Sequence, residues 1–120
     1  TGHGLSTWEI SNPNQSPSVS FINSDWIFGA PSDYLEMAGN GNDLYLAVSG
    51  GNSDIRVMKV DATTMTVAWE KTIDILSSGY EDRFGGMTAT DNGVAITGRY
   101  RESNNDDWNG FILLLDSNGE

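Results

Sequence analysis

Met37-Ala38-Gly39-Asn40-Gly41-Asn42-Asp43-Leu44-Tyr45-Leu46 and Met87-Thr88-Ala89-Thr90-Asp91-Asn92-Gly93-Val94-Ala95-Ile96 are two copies of one pattern, set 50 residues apart. Each runs from a Met into a polar turn segment and out into an apolar run, and the spacing is kept through the turn. Asn and Gly adopt positive φ at little cost, as two-residue hairpin loops require, so each copy is expected to be a β-hairpin turning at Asn40-Gly41 or Asn92-Gly93. A polar loop and a short apolar strand ending in an acid follow both: Arg56-Val57-Met58-Lys59-Val60-Asp61 and Ile112-Leu113-Leu114-Leu115-Asp116.

Working outward, strands are expected at 34–38, 44–48, 55–60, 67–73, 84–89, 94–97 and 110–115, joined as a meander. No segment holds an apolar repeat of 3.6 residues for ten positions, so no long helix is expected. Leu44-Tyr45-Leu46-Ala47-Val48 and Phe111-Ile112-Leu113-Leu114-Leu115 are apolar at successive positions, which predicts strands covered on both faces. Val67-Ala68-Trp69-Glu70, bulky at alternate positions, reads as an outer strand.

A period of 40–50 residues built from short strands suggests stacked four-stranded units. The segment Trp69-Glu70-Lys71, Glu81-Asp82, Met87, Asp91-Asn92-Gly93-Val94-Ala95-Ile96-Thr97-Gly98 and Phe111-Ile112-Leu113-Leu114-Leu115-Asp116-Ser117-Asn118-Gly119 resembles the bacterial β-propeller repeat. That resemblance spans residues 34–120. It implies four-stranded antiparallel blades in a secreted or cell-surface protein and assigns no catalytic residue.

The expected organisation is a single all-β domain over 1–120. Residues 1–31 hold an N-terminal strand and an insertion carrying Pro13, Pro17, Pro31 and the aromatics from Phe21 to Phe28; 32–75 form the first blade and 76–120 a second lacking its fourth strand. Thr7-Trp8-Glu9-Ile10 shares the Trp-Glu pair of Trp69-Glu70 and stands where the fourth strand of a preceding blade would be. It is expected to complete the second blade beside Phe111, Leu113 and Leu115, within the chain or from another subunit. Strand addition of that kind builds rings or filaments. The sequence starts at Thr1 and is expected to be a processed or excised product.

With 17 Asp+Glu against 6 Lys+Arg the net charge is −11, and no Lys or Arg precedes Arg56. Such a surface repels phosphate backbones and anionic lipid, which argues against nucleic-acid and membrane-surface partners. The longest apolar run is far too short to insert in a membrane. Without cysteine there is no disulfide or thiolate site, and the abundance of Asn, Ser, Gly and Asp suits an extracellular or cell-surface location.

His3, in a Gly-flanked terminus, is expected to be a mobile surface residue, and with no second His or any Cys the parts for nucleophilic catalysis are missing. The acid pairs Glu81-Asp82 and Asp106-Asp107 fit solvated loops better than paired glycosidase carboxylates. Asp106, Asp107 and Asn109 offer hard oxygens suited to calcium, although neither that loop nor Asp116-Ser117-Asn118-Gly119-Glu120 continues as a full calcium loop. Trp8 and Trp69, in strand-like sequence, are expected to pack; Trp26 and Trp108, each beside an Asp, are candidate platforms for sugar rings. The expected function is a non-catalytic extracellular module that self-assembles by strand addition. A glycan-binding lectin, calcium-assisted or not, stands second, and a fragment of a carbohydrate-active enzyme third.

Overall fold

The computed structural model describes the backbone of residues 3–11, 18–28, 32–50, 54–75, 81–103 and 106–120, and the side chains of 35–49, 54–75, 82–103 and 106–120. Among these residues there are nine strands and no helix. Strands β1 (His3–Ser11) and β2 (Ser18–Phe28) form a two-stranded antiparallel sheet. Strands β3 (Ser32–Asn40), β4 (Asp43–Gly50), β5 (Ile55–Asp61) and β6 (Thr66–Ile73) form a four-stranded sheet in chain order. Strands β7 (Glu81–Thr90), β8 (Gly93–Arg101) and β9 (Asn109–Asp116) form a three-stranded one.

The repeat seen in the sequence is a repeat of hydrogen-bonding register. Met37 opposes Leu46 as Met87 opposes Ile96, and Asp61 opposes Asp43 as Asp116 opposes Gly93. The loops differ from the Asn-Gly expectation. Pairing of Asn40 with Asp43 makes Gly41-Asn42 the first loop, with Gly41 at φ 60°, whereas pairing of Thr90 with Gly93 makes Asp91-Asn92 the second, with the positive φ of 146° on Gly93 just after it. Register, not the dipeptide, decides which residue needs the left-handed region.

The four-stranded sheet is buried on both faces. Leu46, Val48, Met58, Val60 and Met65 pack together, and Tyr45, Ala47, Ile55 and Val57 pack against Val94 and Ile96 of the three-stranded sheet. Successive burial of Tyr45 to Val48 matches the expectation for that strand. The expectation for residues 111–115 is corrected: Phe111, Leu113 and Leu115 turn toward the first sheet, while Ile112 and Leu114 are 75% and 71% exposed. An apolar run shows that both faces tolerate cover, not that both have it. The alternation across Val67 and Trp69 is also interrupted, because a bulge at Ala68 shifts the register and leaves Val67 exposed.

The two sheets lie face to face, with β7 running along β3 and also reaching β4. The equivalent hairpin tips meet where Asn40 Nδ2 donates to Asp91 Oδ1 at 2.8 Å. At the far side the turn after β9 docks on β5 and β6. Trp69 Nε1 donates to the Ser117 carbonyl at 3.0 Å, Lys59 Nζ to the same oxygen at 3.2 Å, and Lys71 Nζ meets Glu120 Oε1 at 2.9 Å. Trp69 also tilts against Tyr45, ring centroids 6.1 Å apart, so it packs as expected.

Candidate functional site

Side chains alternate across a strand, so the residues of β7–β9 that do not face the first sheet form one outward surface. Register places Ala95 beside Leu114, Thr97 beside Ile112 and Arg83 beside Arg99 on it. Toward the hairpin tip the surface is apolar. At the opposite end it is cationic: the guanidiniums of Arg83, Arg99 and Arg101 lie 5.2, 4.7 and 4.8 Å from the centroid of the Trp108 ring. Along the side of this surface runs β9, which among the described strands has one neighbour, β8.

The repeat explains why this surface is bare. With the hairpins offset by 50 residues and their closing acids by 55, Tyr45, Ala47 and Val57 of the first sheet correspond to Ala95, Thr97 and Ile112 of the second. In the first sheet those positions are buried on the side that meets the second. In the second Thr97 and Ile112 are exposed and Ala95 is half-buried.

The expected assembly residues are distributed as follows. Thr7, Trp8, Glu9 and Ile10 lie in β1, opposite Asn23, Phe21, Ser20 and Val19 of β2. The insertion therefore contains a partner strand, and the side chains of both strands lie outside the described residues. His3 also lies in β1, opposite Phe28, and not in an unpaired terminus. Phe111, Leu113 and Leu115 serve the core, so at this edge they offer backbone, and the side chains left to meet a partner are Ile112 and Leu114. Trp26 is in β2 opposite Gly4, its side chain outside the description, whereas Trp108 is half-buried among the arginines.

Asp106 and Asp107 are exposed, and Asn109 opens β9 opposite Tyr100. Among the described residues no group of three acidic or His side chains converges with the geometry to hold a metal; Asn104 and Asn105 lie outside them. The Asp116 carboxylate is engaged by its own turn: Oδ1 accepts from the N–H groups of Asn118 and Glu120 at 2.8 and 3.0 Å. Asp61 does the same for Thr63 and Thr64, both at 2.9 Å. These bonds hold both carboxyls below the usual carboxylate range, led by the N–H of Glu120 and that of Thr64 respectively.

Of the adjacent pair Glu81-Asp82, Asp82 is not a solvated loop acid. It is 3% exposed, Oδ2 accepts from the Ile75 N–H at 2.9 Å, and Oδ1 has no hydrogen-bond partner among the described residues. Burial pushes its carboxyl up, with Asp74 and Asp54 adding to the effect and the Ile75 bond opposing it. Nothing in a lone Glu-Asp pair signals this, because the N–H it meets belongs to Ile75, in the segment after β6.

A pH profile follows from these shifts. A raised carboxyl favours the fold at low pH and loses that contribution as pH rises through its folded value; Asp61 and Asp116 contribute above their unfolded value near 3.8 and lose it as pH falls. Melting temperature is expected to peak at mildly acidic pH. Asp82→Asn, which removes the buried charge, should raise stability at pH 7 by about 1–3 kcal/mol and abolish the fall from the acidic peak toward neutrality. Thermal melts of both proteins between about pH 3 and pH 8 check this, and superimposable profiles would show that Asp82 is not the group responsible.

Comparison of the chain with protein-family models, curated proteins and solved structures returns no match.

Proposed function

We propose that this chain is a non-catalytic interaction module of blade-like stacked sheets that associates with further copies of itself by strand addition, at an extracellular or cell-surface location. The observation that carries the reading is the unequal cover of equivalent positions. Val57 is fully buried against the next sheet, and its counterpart Ile112 stands 75% exposed beside Leu114. An apolar face next to an unpaired strand edge is what strand addition uses: backbone groups of the edge give register, and the face gives area. Among the described strands β1 is paired on one side only, by β2. The hairpin of one copy can therefore extend the three-stranded sheet of the next without giving up its own pairing. Repetition of a head-to-tail contact gives a ring or a filament. The repeat pattern, the register and the propeller-like sequence signature support the blade description.

Light scattering tests the proposal. The intact chain should exceed monomer mass at high micromolar concentration, and Leu114→Asp should reduce it toward the monomer. Because Leu114 is exposed, the unfolding free energy of the dilute variant should stay within about 0.5 kcal/mol of the parent. A monomeric parent at that concentration, or a variant of unchanged mass, would contradict it.

Glycan binding at Trp108 is the second reading. One observation favours it: at the end of the outward surface the exposed Arg99, lying over the Trp108 ring, offers directional donors to sugar hydroxyls.

A further inference from the structure

The turn after β9 already opens a fourth lane on the three-stranded sheet. Asp116 N–H donates to the Glu120 carbonyl and Gly119 N–H to the Asp116 carbonyl, both at 3.0 Å, with Gly119 at φ 81°. A turn closed by a left-handed glycine returns the chain antiparallel to the strand it left, so Glu120 stands on the first rung beside β9. The first sheet does the same: Met65, at φ 58°, precedes Thr66, which pairs with Asp61 where β6 begins. The edge of β9 is thus laid out for an antiparallel strand that enters beside Asp116 and runs toward Asn109. The first sheet also shows which residues match that lane. Lys59 opposes Trp69, and Val57 opposes Lys71. Carried over by the offset of Asp61 to Asp116 and by the match of Trp8-Glu9 to Trp69-Glu70, Trp8 falls opposite Leu114 and Ile10 opposite Ile112. The correspondence includes the backbone: the β5–β6 register shifts just before Trp69, and the β1–β2 register just before Trp8. Positions 8 and 10, two apart in β1, share one face of the strand, so Leu114 and Ile112, 71% and 75% exposed, would each gain an apolar cross-strand neighbour.

We propose that β1 of a second copy adds antiparallel to β9, with Trp8 opposite Leu114 and Ile10 opposite Ile112. This rests on the strand-addition reading above and gives it a donor strand, a direction and a register. The length of the chain between β2 and β3 decides that the donor is a second copy. Only residues 29–31 separate Phe28 from Ser32, a reach of about 14 Å when fully extended. If β1 lay beside the β9 of its own chain, β2 would lie one strand further out, four strand spacings or roughly 19 Å from β7. Strand β3, to which β2 is tied, runs along β7, whereas the turn after β9 docks on β5 and β6 at the other side of the stack. The tie is therefore too short for β1 to reach its own β9 while β2 stays paired to it.

The chain has no cysteine, so introduced thiols report contacts without ambiguity. Four single variants serve: Trp8→Cys, Ile10→Cys, Ile112→Cys and Leu114→Cys. They are mixed in pairs at high micromolar concentration, one partner carrying a heavy-isotope label, and after mild oxidation the disulfide-linked heterodimer is counted by intact mass. Residues directly opposite in an antiparallel pair have Cα atoms about 4.5–5.5 Å apart, within disulfide reach, whereas diagonal neighbours are about 7–8 Å apart and beyond it. Ile10→Cys with Ile112→Cys, and Trp8→Cys with Leu114→Cys, are expected to give at least tenfold more heterodimer than Ile10→Cys with Leu114→Cys or Trp8→Cys with Ile112→Cys. Each variant occurs once in register and once out of it, so a variant that fails to fold leaves the other comparison intact. Equal yields in and out of register would overturn the register and leave strand addition in place. No heterodimer from any pair, with the parent still above monomer mass by light scattering, would overturn β1 as the donor, and a monomeric parent would defeat both readings. A chain carrying both Ile10→Cys and Ile112→Cys that closes its own disulfide when dilute would overturn the assignment to a second copy.

Discussion

Gly93→Ala should destabilise the protein by about 3 kcal/mol or more, enough to remove much of the margin of a domain this size. Gly93 has φ 146°, outside what L side chains adopt readily, and a Cβ there would lie 2.0 Å from the Leu115 carbonyl oxygen and 2.7 Å from the Cα and C of Asp116. Those atoms are backbone of β9, paired with Gly93 itself, so relief requires the β8–β9 ladder to open at the acid-capped turn. The matching experiment is Gly41→Ala in the other hairpin. There φ is 60° and nothing lies within 4 Å of the added methyl, so only the backbone penalty of roughly 1–2 kcal/mol applies. Chemical denaturation of both variants should rank them in that order; equal losses would mean that the close approach of β9 to Gly93 is not a real constraint.

Ile96→Ala is expected to cost about 2–5 kcal/mol, the range for emptying a packed aliphatic site. Ile96 is fully buried in the layer between the two sheets, clustered with Tyr45, Ala47, Ile55 and Val57. Its loss therefore weakens the junction and not one sheet alone. Ile112→Ala removes the same atoms from the opposite side of the same sheet, where the side chain is exposed, and should change stability by no more than about 0.5 kcal/mol. The contrast measures how far the second sheet is one-sided. Comparable losses at 96 and 112 would mean that the outward surface is covered in solution by the chain itself.

Much of the fold was legible in the sequence because the signals were local. Each hairpin carries its own turn residues, and the 50-residue echo between Met37 and Met87 is preserved as identical register. What stayed hidden depends on longer-range arrangement. The Asn-Gly pairs marked the turns but misplaced their centres by one residue, since cross-strand pairing selects the loop. Strand β2 is not legible as a strand, because Pro17 and Pro31 flank it and Asn23, Ser24 and Asp25 interrupt its apolar run. The exposed face of β9 could not be told from a buried one, as Ile112 and Leu114 look no different in sequence from their neighbours.

The Arg–Trp cluster was missed for two reasons. Arg83 and Arg99 are distant in sequence and meet only through β7–β8 pairing, and the sequence around Trp108 shows its acidic neighbours but not the cations across the sheet. A signal was present: Arg99 and Arg101, two apart, share a face once β8 is extended past residue 97 to Arg101.

The association proposed here makes its sharpest demand on the backbone of β9. Inward amides of β9 bond to β8 in every copy, whereas among the described residues its outward amides before Asp116, whose own N–H bonds the Glu120 carbonyl, gain a ladder partner only when another strand is added. Amide hydrogen exchange, read residue by residue along Asn109–Asp116 at low and at high micromolar protein, separates the two sets. The account expects inward amides to be protected at both concentrations and outward ones to gain protection only at the higher, with Leu114→Asp losing that gain. Outward amides that exchange equally fast at every concentration, or equally slowly even in the dilute monomer, would contradict it.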